Sequence, residues 1–300
     1  MDGHFRKASI LCVWFEICIF VDIWSLGKYP SYQLPGTAEA MGCTFRDFNI
    51  EDYEEAAKET PIKGGVFVNV ANECIEESVW LCEMAKTHPI IRGVVAGLSF
   101  TNGAQVISEE IKTLREYPQF VGARYIPPNE KEIVQFLENP LVYESIAVLE
   151  KENIPLDMAR FNVSPYTKLL DIAERFPRLK YVVDHCANPS IMDGKTSEWY
   201  AMMQKMAALP NVVVKISGLV TEAMQEWTVD HLRPYIKEVM RLFGPERCFY
   251  GSDWPVCLMN AQSYRTVYAA YSQCIAELTA SEEEKQAVLE DNCLKIYNIH

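Results

Sequence analysis

The chain has 300 residues, of which 49% are hydrophobic and 23% are charged, and its formal net charge is −13. These proportions are typical of a globular protein that is long enough to bury a full core. The excess of acidic residues argues against nucleic acid or an anionic membrane surface as a partner, because both bind basic surfaces.

Residues 1–20 form an atypical N-terminal segment, which we separate from a single predicted domain over residues 21–300. Residues 8–24 are mostly apolar and follow two basic residues, as in a signal or membrane-anchor segment. Glu16 and Asp22 interrupt this stretch, and a charge inside a membrane-spanning helix is energetically unfavourable. We therefore expect an irregular first strand near residues 10–23, with an N-terminal anchor as the alternative.

Seven short apolar runs follow along the rest of the chain. They occupy residues 65–70, 91–98, 120–126, 154–161, 181–186, 212–216 and 248–251. Most are continuous runs rather than alternations of apolar and polar residues, which is typical of parallel strands that are buried on both faces.

Amphipathic stretches separate these runs and predict helices. They occupy residues 73–86, 107–116, 166–176, 197–208, 230–243, 261–278 and 282–297. Together with the irregular strand near residues 10–23, the pattern predicts a single distorted (β/α)₈ barrel of the TIM type with an atypical first strand. A doubly wound open sheet is the alternative fold, but no Gly-x-Gly-x-x-Gly loop follows an early strand.

Polar residues at the C-terminal ends of barrel strands meet on one face, where barrel enzymes place their active sites. Asp253 follows the last apolar run, and a carboxylate there can activate water or bind a divalent metal. His185 lies at the end of the run at 181–186, where an imidazole can bind metal or polarise a carbonyl. The structural alternatives are a helix cap or an ion pair for Asp253 and a hydrogen-bonded core position for His185.

Four further residues are candidates for binding the substrate. Arg124 and Arg160 each end an apolar run, and a guanidinium can hold a substrate carboxylate through two hydrogen bonds. A structural bridge to an acid at a strand end is the alternative. Lys215 lies inside an apolar run and needs an anionic partner, which is either a substrate group or a carboxylate such as Asp253. Trp254 can line a pocket.

The ten cysteines include no C-x-x-C pair, and most of them lie in apolar stretches. This distribution favours reduced thiols and predicts a cytoplasmic protein. We expect a small molecule as the partner, and a homo-oligomer is possible.

Three motifs carry a resemblance to a known family. They are Val183-Asp184-His185 with Asn188-Pro189, Val214-Lys215-Ile216-Ser217-Gly218-Leu219, and Tyr250-Gly251-Ser252-Asp253-Trp254-Pro255, with Gly122-Ala123-Arg124 as a weaker fourth. With these motifs the chain resembles the amidohydrolase superfamily, in the branch called amidohydrolase-related or amidohydrolase 2. Within that branch it is similar to the lactonase-like group, which includes sugar-lactone hydrolases and 2-pyrone-4,6-dicarboxylate lactonases.

The resemblance implies a barrel hydrolase that opens a cyclic ester of a sugar acid or of a small carboxylated ring. The counterpart of Asp253 would activate water, and that of His185 would bind metal or stabilise the developing oxyanion. Some members of the family hold zinc, whereas lactonases of this group can work without a metal.

One departure from the family concerns the first strand, which normally ends in Asp-x-His-x-His-x-Trp. The corresponding stretch here reads Phe20-Val21-Asp22-Ile23-Trp24-Ser25, and the chain contains no His-x-His elsewhere. His185 and Asp253 are then the only strong candidate metal ligands, so we expect no required metal or a weakly bound divalent ion such as zinc. A catalytically impaired isoform or pseudoenzyme that serves as a binding scaffold is one alternative function, and a metal-dependent decarboxylase is another.

Overall fold

Eight parallel strands form one sheet in which each strand pairs with the next along the chain. The computed structural model describes residues 48–70, 73–126, 130–159, 166–194 and 196–300, together with the backbone of Phe20–Val21. The strands are β1 (Phe20–Val21), β2 (Gly65–Val68), β3 (Ile91–Gly97), β4 (Phe120–Tyr125), β5 (Leu156–Met158), β6 (Tyr181–Val183), β7 (Val212–Ile216) and β8 (Cys248–Tyr250). Strand order that follows chain order, with helical crossovers, is the topology of a (β/α)₈ barrel.

Twelve α-helices connect or follow the strands in the part of the chain that the structure describes. They are α1 (Ile50–Ala57), α2 (Ile75–Ala85), α3 (Gly103–Leu114), α4 (Glu130–Glu138), α5 (Pro140–Glu152), α6 (Tyr166–Arg175), α7 (Ser197–Ala207), α8 (Leu219–Glu222), α9 (Val229–Phe243), α10 (Tyr264–Leu278), α11 (Glu282–Gln286) and α12 (Asn292–Tyr297).

The strands are buried because apolar residues cover the sheet on both faces. All four residues of β2 and all five residues of β7 are buried, including the charged Lys215. Their β-branched side chains suit a pleated surface that is packed on two sides. The continuous apolar runs of the sequence therefore predicted the strands well, and each of the seven runs contains one.

Helix ends follow the local capping chemistry. Asn49 and Asp52 form a reciprocal capping box at the start of α1, and Ser263 accepts a hydrogen bond from the backbone of Thr266 at the start of α10. At α5, the Asn139 side chain accepts from the backbone of Leu141, and Pro140 occupies the first turn.

The barrel prediction is confirmed, and four helices were not predicted: α1, α4, α5 and the single turn α8. The short α1 is acidic and buries only three residues, so its apolar periodicity is weak. Helices α4 and α5 follow each other closely and are divided by the Asn139-Pro140 cap. Their charged residues made the apolar pattern of these two helices hard to recognise in the sequence. The single helix predicted over 282–297 is two helices joined by a π-helical turn over Ala287–Asp291.

The start of the chain lies almost wholly outside the described residues. Phe20 and Val21 pair in parallel with Val66 and Phe67 of β2, which agrees with a first strand in the predicted region. The remainder of the predicted strand near residues 10–23, and the apolar segment 8–24 considered as an anchor, fall outside the described ranges apart from this pair. Among the residues that the structure describes, no helix has the length and apolar character needed to span a membrane.

Among the described residues, two apolar clusters make up the core, and the smaller one fills the inside of the barrel. It combines inward-facing strand residues such as Val66, Val182 and Phe249 with Ile296 and Tyr297 of the terminal helix. The Asn292 side chain of that helix donates to the carbonyl oxygens of Pro245 and Cys248, both at 2.8 Å, where β8 begins. Helix α12 therefore closes the end of the barrel at which the strands start, opposite to the end where the candidate site lies.

Candidate active site

Asp253 lies just beyond the C-terminal end of β8, as the sequence predicted. Its side chain is 7% exposed, and its backbone has a φ of +57°. The Thr221 hydroxyl, from helix α8 after β7, donates a hydrogen bond of 2.9 Å to Asp253 Oδ2. This bond comes from the neighbouring strand–helix unit and fixes the direction of the carboxylate.

His185 lies beyond the end of β6 in a left-handed turn. The strand stops at Val183, and residues 185, 186, 187 and 188 all have φ between +50° and +60°. For residues other than glycine and asparagine, this conformation is unfavourable by about 1–2 kcal/mol each. Alternation along β6 therefore does not decide where the His185 ring points, because the residue is no longer part of the strand.

Contacts with surrounding elements hold this turn in place. The Trp199 indole donates 2.7 Å to the Cys186 carbonyl oxygen, and the Cys186 thiol contacts the Lys215 carbonyl oxygen at 3.6 Å. The Asn188 side chain donates 3.1 Å to Glu222. The turn is thus tied to α7, β7 and α8, which compensates for its unfavourable backbone conformation.

The His185 ring faces the residues after β7 and β8. Its Nδ1 lies 2.9 Å from Ser217 Oγ and 3.8 Å from Asp253 Oδ1. A Cβ atom on Gly218, whose φ is +68°, would come within 2.6 Å of the His185 Cβ. The Ser217-Gly218 dipeptide therefore supplies both the hydroxyl that orients the imidazole and the space that it occupies.

Burial lowers the pKa of His185 to about 3, and the positive charges of Arg124 and Lys215 add to this effect against the opposing pull of Asp184. The ring is therefore neutral near pH 7, and its contact with Asp253 is not an ion pair there. A neutral imidazole offers one N–H donor and one acceptor nitrogen.

Hydrogen bonds from two side chains fix the backbone of the segment after β7. The Asn260 side-chain amide donates to the carbonyl oxygens of Val220, Ala223 and Met224 at 2.8–3.2 Å. The Tyr271 hydroxyl accepts from the backbone of Leu219 at 2.8 Å. Because these bonds satisfy both ends of a single helical turn, Ser217 and Thr221 are presented to the site by a fixed backbone.

Arg124 and Lys215 lie one layer below, inside the barrel. Lys215 Nζ contacts Asp157 Oδ2 at 3.0 Å and also forms a short ion pair with Asp184 Oδ1. Arg124 Nε lies 3.1 Å from Asp184 Oδ2. The two cations are 7% and 1% exposed as side chains, and the two carboxylates are fully buried. We call these four residues the ion layer. The partners of Lys215 in it are Asp157 and Asp184, whereas we expected a substrate anion or a carboxylate such as Asp253.

Within the ion layer the two carboxyl groups differ in their pKa. Burial raises the pKa of Asp157 to about 6, although the Lys215 ammonium and the Tyr297 hydroxyl oppose this shift. For Asp184, burial acts in the same direction, but Lys215 and Arg124 together keep its pKa below the ordinary value. Asp184 is thus the carboxylate that holds both cations in place.

The other candidate residues have different surroundings. Trp254 is 1% exposed, and its ring packs against Phe48 and Tyr53 with centroid distances of 5.4 and 5.3 Å. It therefore anchors the end of β8 to the region of α1 rather than presenting a free face. Arg160 lies outside the described residues. Thr221 and Asp157 were missed; the signal for Asp157 is an acid inside the apolar run at 154–161, which requires a buried partner.

The candidate metal ligands do not make a catalytic zinc site. Catalytic zinc is held by three protein ligands, usually His, Cys, Asp or Glu. Within the described ranges, no group of three such side chains is arranged to hold a metal ion, and His185 and Asp253 provide two donors. The residues that are described therefore do not fit a tightly bound metal.

Several known proteins are similar to this chain. An L-fucono-1,5-lactonase of Burkholderia ambifaria is 29% identical over 244 residues, covering 81% of each chain. An L-fucono-1,5-lactonase of Burkholderia multivorans is 26% identical and covers 90% of this chain and 92% of its own. An L-rhamnono-gamma-lactonase of Scheffersomyces stipitis is 23% identical over 70% of each chain.

A solved structure supports the barrel assignment. The amidohydrolase from Burkholderia multivorans with bound Zn superposes with a TM-score of 0.84 at 24% identity, over 95% of this chain and all of the other. The Amidohydrolase family matches residues 24–299, so the match begins at Trp24, directly after the stretch that lacks the histidine pair. Since this match covers most of its length, the chain belongs to the Amidohydrolase family.

Proposed function

We propose that this protein is a lactonase, which opens the cyclic ester of a sugar acid with water activated by Asp253. The observation that carries the proposal is the proximity of Asp253 Oδ1 to His185 Nδ1, 3.8 Å apart at the C-terminal end of the barrel. The names of three relatives, two L-fucono-1,5-lactonases and one L-rhamnono-gamma-lactonase, support the same substrate class.

Asp253 serves as the general base. Its carboxylate takes a proton from water while the water oxygen attacks the carbonyl carbon of the lactone. When the ring C–O bond breaks, the protonated Asp253 returns the proton to the departing ring oxygen, which becomes an alcohol. The product is an open-chain sugar acid, and the base is regenerated. Thr221 holds the carboxylate in the attacking direction through its bond to Oδ2.

His185 stabilises the negative charge that develops on the carbonyl oxygen. In the tautomer in which the Ser217 hydroxyl donates to Nδ1, the hydrogen of the ring is on Nε2 and can be donated to that oxygen. A neutral imidazole is suited to this role, and the low pKa of His185 keeps it neutral over the working range. No step of this mechanism passes through a metal ion.

The ion layer favours an uncharged sugar lactone over a ring that carries carboxylates. Arg124 and Lys215, the described cations nearest the site, are already paired with Asp184 and Asp157. A substrate carboxylate would have to compete with these buried carboxylates, and breaking a buried ion pair is strongly unfavourable. The uncharged hydroxyl groups of a sugar lactone do not compete with these carboxylates for the two cations.

The cysteines support a reducing compartment, and we propose the cytoplasm as the location. All seven cysteines in the described ranges are free thiols, and six of them are buried. Burial raises the pKa of Cys82 and Cys186 to about 12, so both remain protonated and unreactive at neutral pH.

The test is a pH-indicator assay of the purified full chain with sugar-acid lactones and 2-pyrone-4,6-dicarboxylate, with and without a metal chelator. We expect acid release from an uncharged sugar lactone at a rate that the chelator does not change, and no turnover of the dicarboxylate. A folded protein that turns over none of these substrates would instead support the pseudoenzyme alternative. Activity that disappears with chelator would overturn the metal-free mechanism.

A further inference from the structure

Tyr297, near the C-terminus, reaches into the ion layer from the far end of the barrel. Its side chain is 1% exposed, and its ring packs edge-on against Phe249 with a centroid distance of 5.9 Å. The hydroxyl lies 2.9 and 2.8 Å from the two carboxylate oxygens of Asp157. A residue of the last helix is thus hydrogen-bonded inside the barrel, 140 positions along the chain from its partner.

Asp157, which accepts the hydrogen bond from Tyr297, also contacts Lys215, and Lys215 contacts both carboxylates of the ion layer. The Lys215 ammonium bridges Asp157 and Asp184. A shift of one carboxylate therefore changes the position that the ammonium takes between the two. Because the ammonium is 1% exposed, solvent does not compensate for a lost partner.

Lys215 is in contact with the chain next to each of the two reacting groups. Asp184 directly precedes His185, so displacement of the Asp184 carboxylate acts on the first residue of the left-handed turn. On the other side, a Cβ on Gly251 would lie 3.0 Å from the Lys215 Cγ, which shows how closely the lysine stem packs against the backbone two residues before Asp253. The lysine therefore contacts the supports of both site residues.

We propose that Tyr297 is a positioning residue for the site, acting through Asp157 and Lys215 on His185 and Asp253. The terminal helix then does more than close the barrel, since its hydroxyl sets the geometry of the ion layer on which the reacting groups rest. The catalytic consequence of this inference rests on the proposed lactonase function, whereas its structural consequence for His185 does not.

The test compares Tyr297→Phe with a matched control, Tyr181→Phe. Tyr181 is also 1% exposed, and its hydroxyl has no hydrogen-bond partner among the described residues. It lies on β6, only four positions before His185, so any general effect of removing a buried hydroxyl near this strand is present in the control. Both substitutions keep the aromatic ring and therefore the packing.

Two readouts are measured on folded protein, as checked by circular dichroism. The first is the ¹⁵N NMR signal of the His185 ring, assigned by its loss in His185→Asn. We expect it to move in Tyr297→Phe and to stay in place in Tyr181→Phe. The second is lactone turnover, for which we expect kcat to fall about tenfold in Tyr297→Phe with KM changed less than twofold, and no change in Tyr181→Phe.

An unmoved His185 signal in Tyr297→Phe would overturn the inference, whether or not the wild-type protein hydrolyses lactones. A moved signal with unchanged kcat in an active enzyme would also overturn it, because the hydroxyl would then be structural only. Asp157→Asn is a second variant that weakens the same link, and it takes the place of Tyr297→Phe if that variant does not fold. A wild-type protein without turnover would contradict the proposed function and leave the NMR comparison valid.

Discussion

Asp253 and His185 both have positive φ values, +57° and +52°, which are uncommon for residues other than glycine. Such backbone conformations are found at functional sites when surrounding contacts enforce them. Here the enforcing contacts are specific: Thr221 bonds the Asp253 carboxylate, and Ser217 lies 2.9 Å from the His185 Nδ1. The site is therefore assembled before any substrate arrives.

The burial of a neutral His185 predicts a pH dependence of stability. Its folded pKa of about 3 lies below the ordinary value of 6.5, so between these pH values the unfolded chain binds more protons than the folded one. The stability contribution of His185 is therefore complete above pH 6.5 and is lost progressively as the pH falls towards 3.

His185→Asn removes this effect while keeping a residue that tolerates positive φ. Urea unfolding with chelator present should show that the wild type loses about 1–2 kcal/mol more than the variant on going from pH 7.5 to pH 5. We expect the lower part of this range, since 16% of the His185 side chain is exposed. Parallel pH dependences of the two proteins would contradict a neutral buried ring.

At the scale of elements, the segment from Ser217 to Ala223 after β7 connects Asp253 and His185, the two groups to which we assign the reaction. Its backbone is fixed by Asn260 and Tyr271, and its side chains contact His185 and Asp253. Gly218 is the point at which this segment approaches His185 most closely, because an added Cβ would lie within 2.6–2.8 Å of three atoms of that residue.

Gly218→Ala and Gly194→Ala form a matched pair that isolates this approach. Both glycines have positive φ, +68° and +64°, but a Cβ on Gly194 meets nothing within 4 Å. Each substitution should lower the free energy of unfolding by about 1 kcal/mol through backbone strain. Only Gly218→Ala should also displace His185, and we expect a fall in kcat of at least about tenfold in that variant alone.

Chemical denaturation and steady-state kinetics of the two variants decide the point. Equal kcat values in Gly218→Ala and Gly194→Ala would show that the imidazole is not held by its contact with this segment.

For the whole molecule, the barrel was predictable from the sequence because parallel strands buried on both sides appear as continuous apolar runs. The location of Asp253 and His185 close together was also predictable, since each lies at or just after the end of such a run and the C-terminal ends of barrel strands converge. The specific partners of Arg124 and Lys215 were not predictable, although a structural ion pair was an alternative for both residues. Asp157 and Asp184 lie on or just after other strands, and pairing across strands leaves no local pattern.

The contribution of the terminal helix was equally hidden. Tyr297 lies in a short helix that follows a π-helical turn, and nothing in its local sequence indicates that its hydroxyl enters the barrel. The left-handed turn at His185 was hidden too, since Cys186 and Ala187 in its centre are not types that favour this conformation.

The central claim is that Asp253 activates the water that opens a lactone. The most direct measurement is the rate of lactone hydrolysis by Asp253→Asn relative to the wild type, on whichever sugar lactone the wild type hydrolyses fastest. Asparagine tolerates positive φ and has nearly the same volume, so the variant removes the base with little change in shape. We predict a rate lower by at least about 100-fold with unchanged unfolding behaviour; a rate within a few-fold of the wild type would contradict the account.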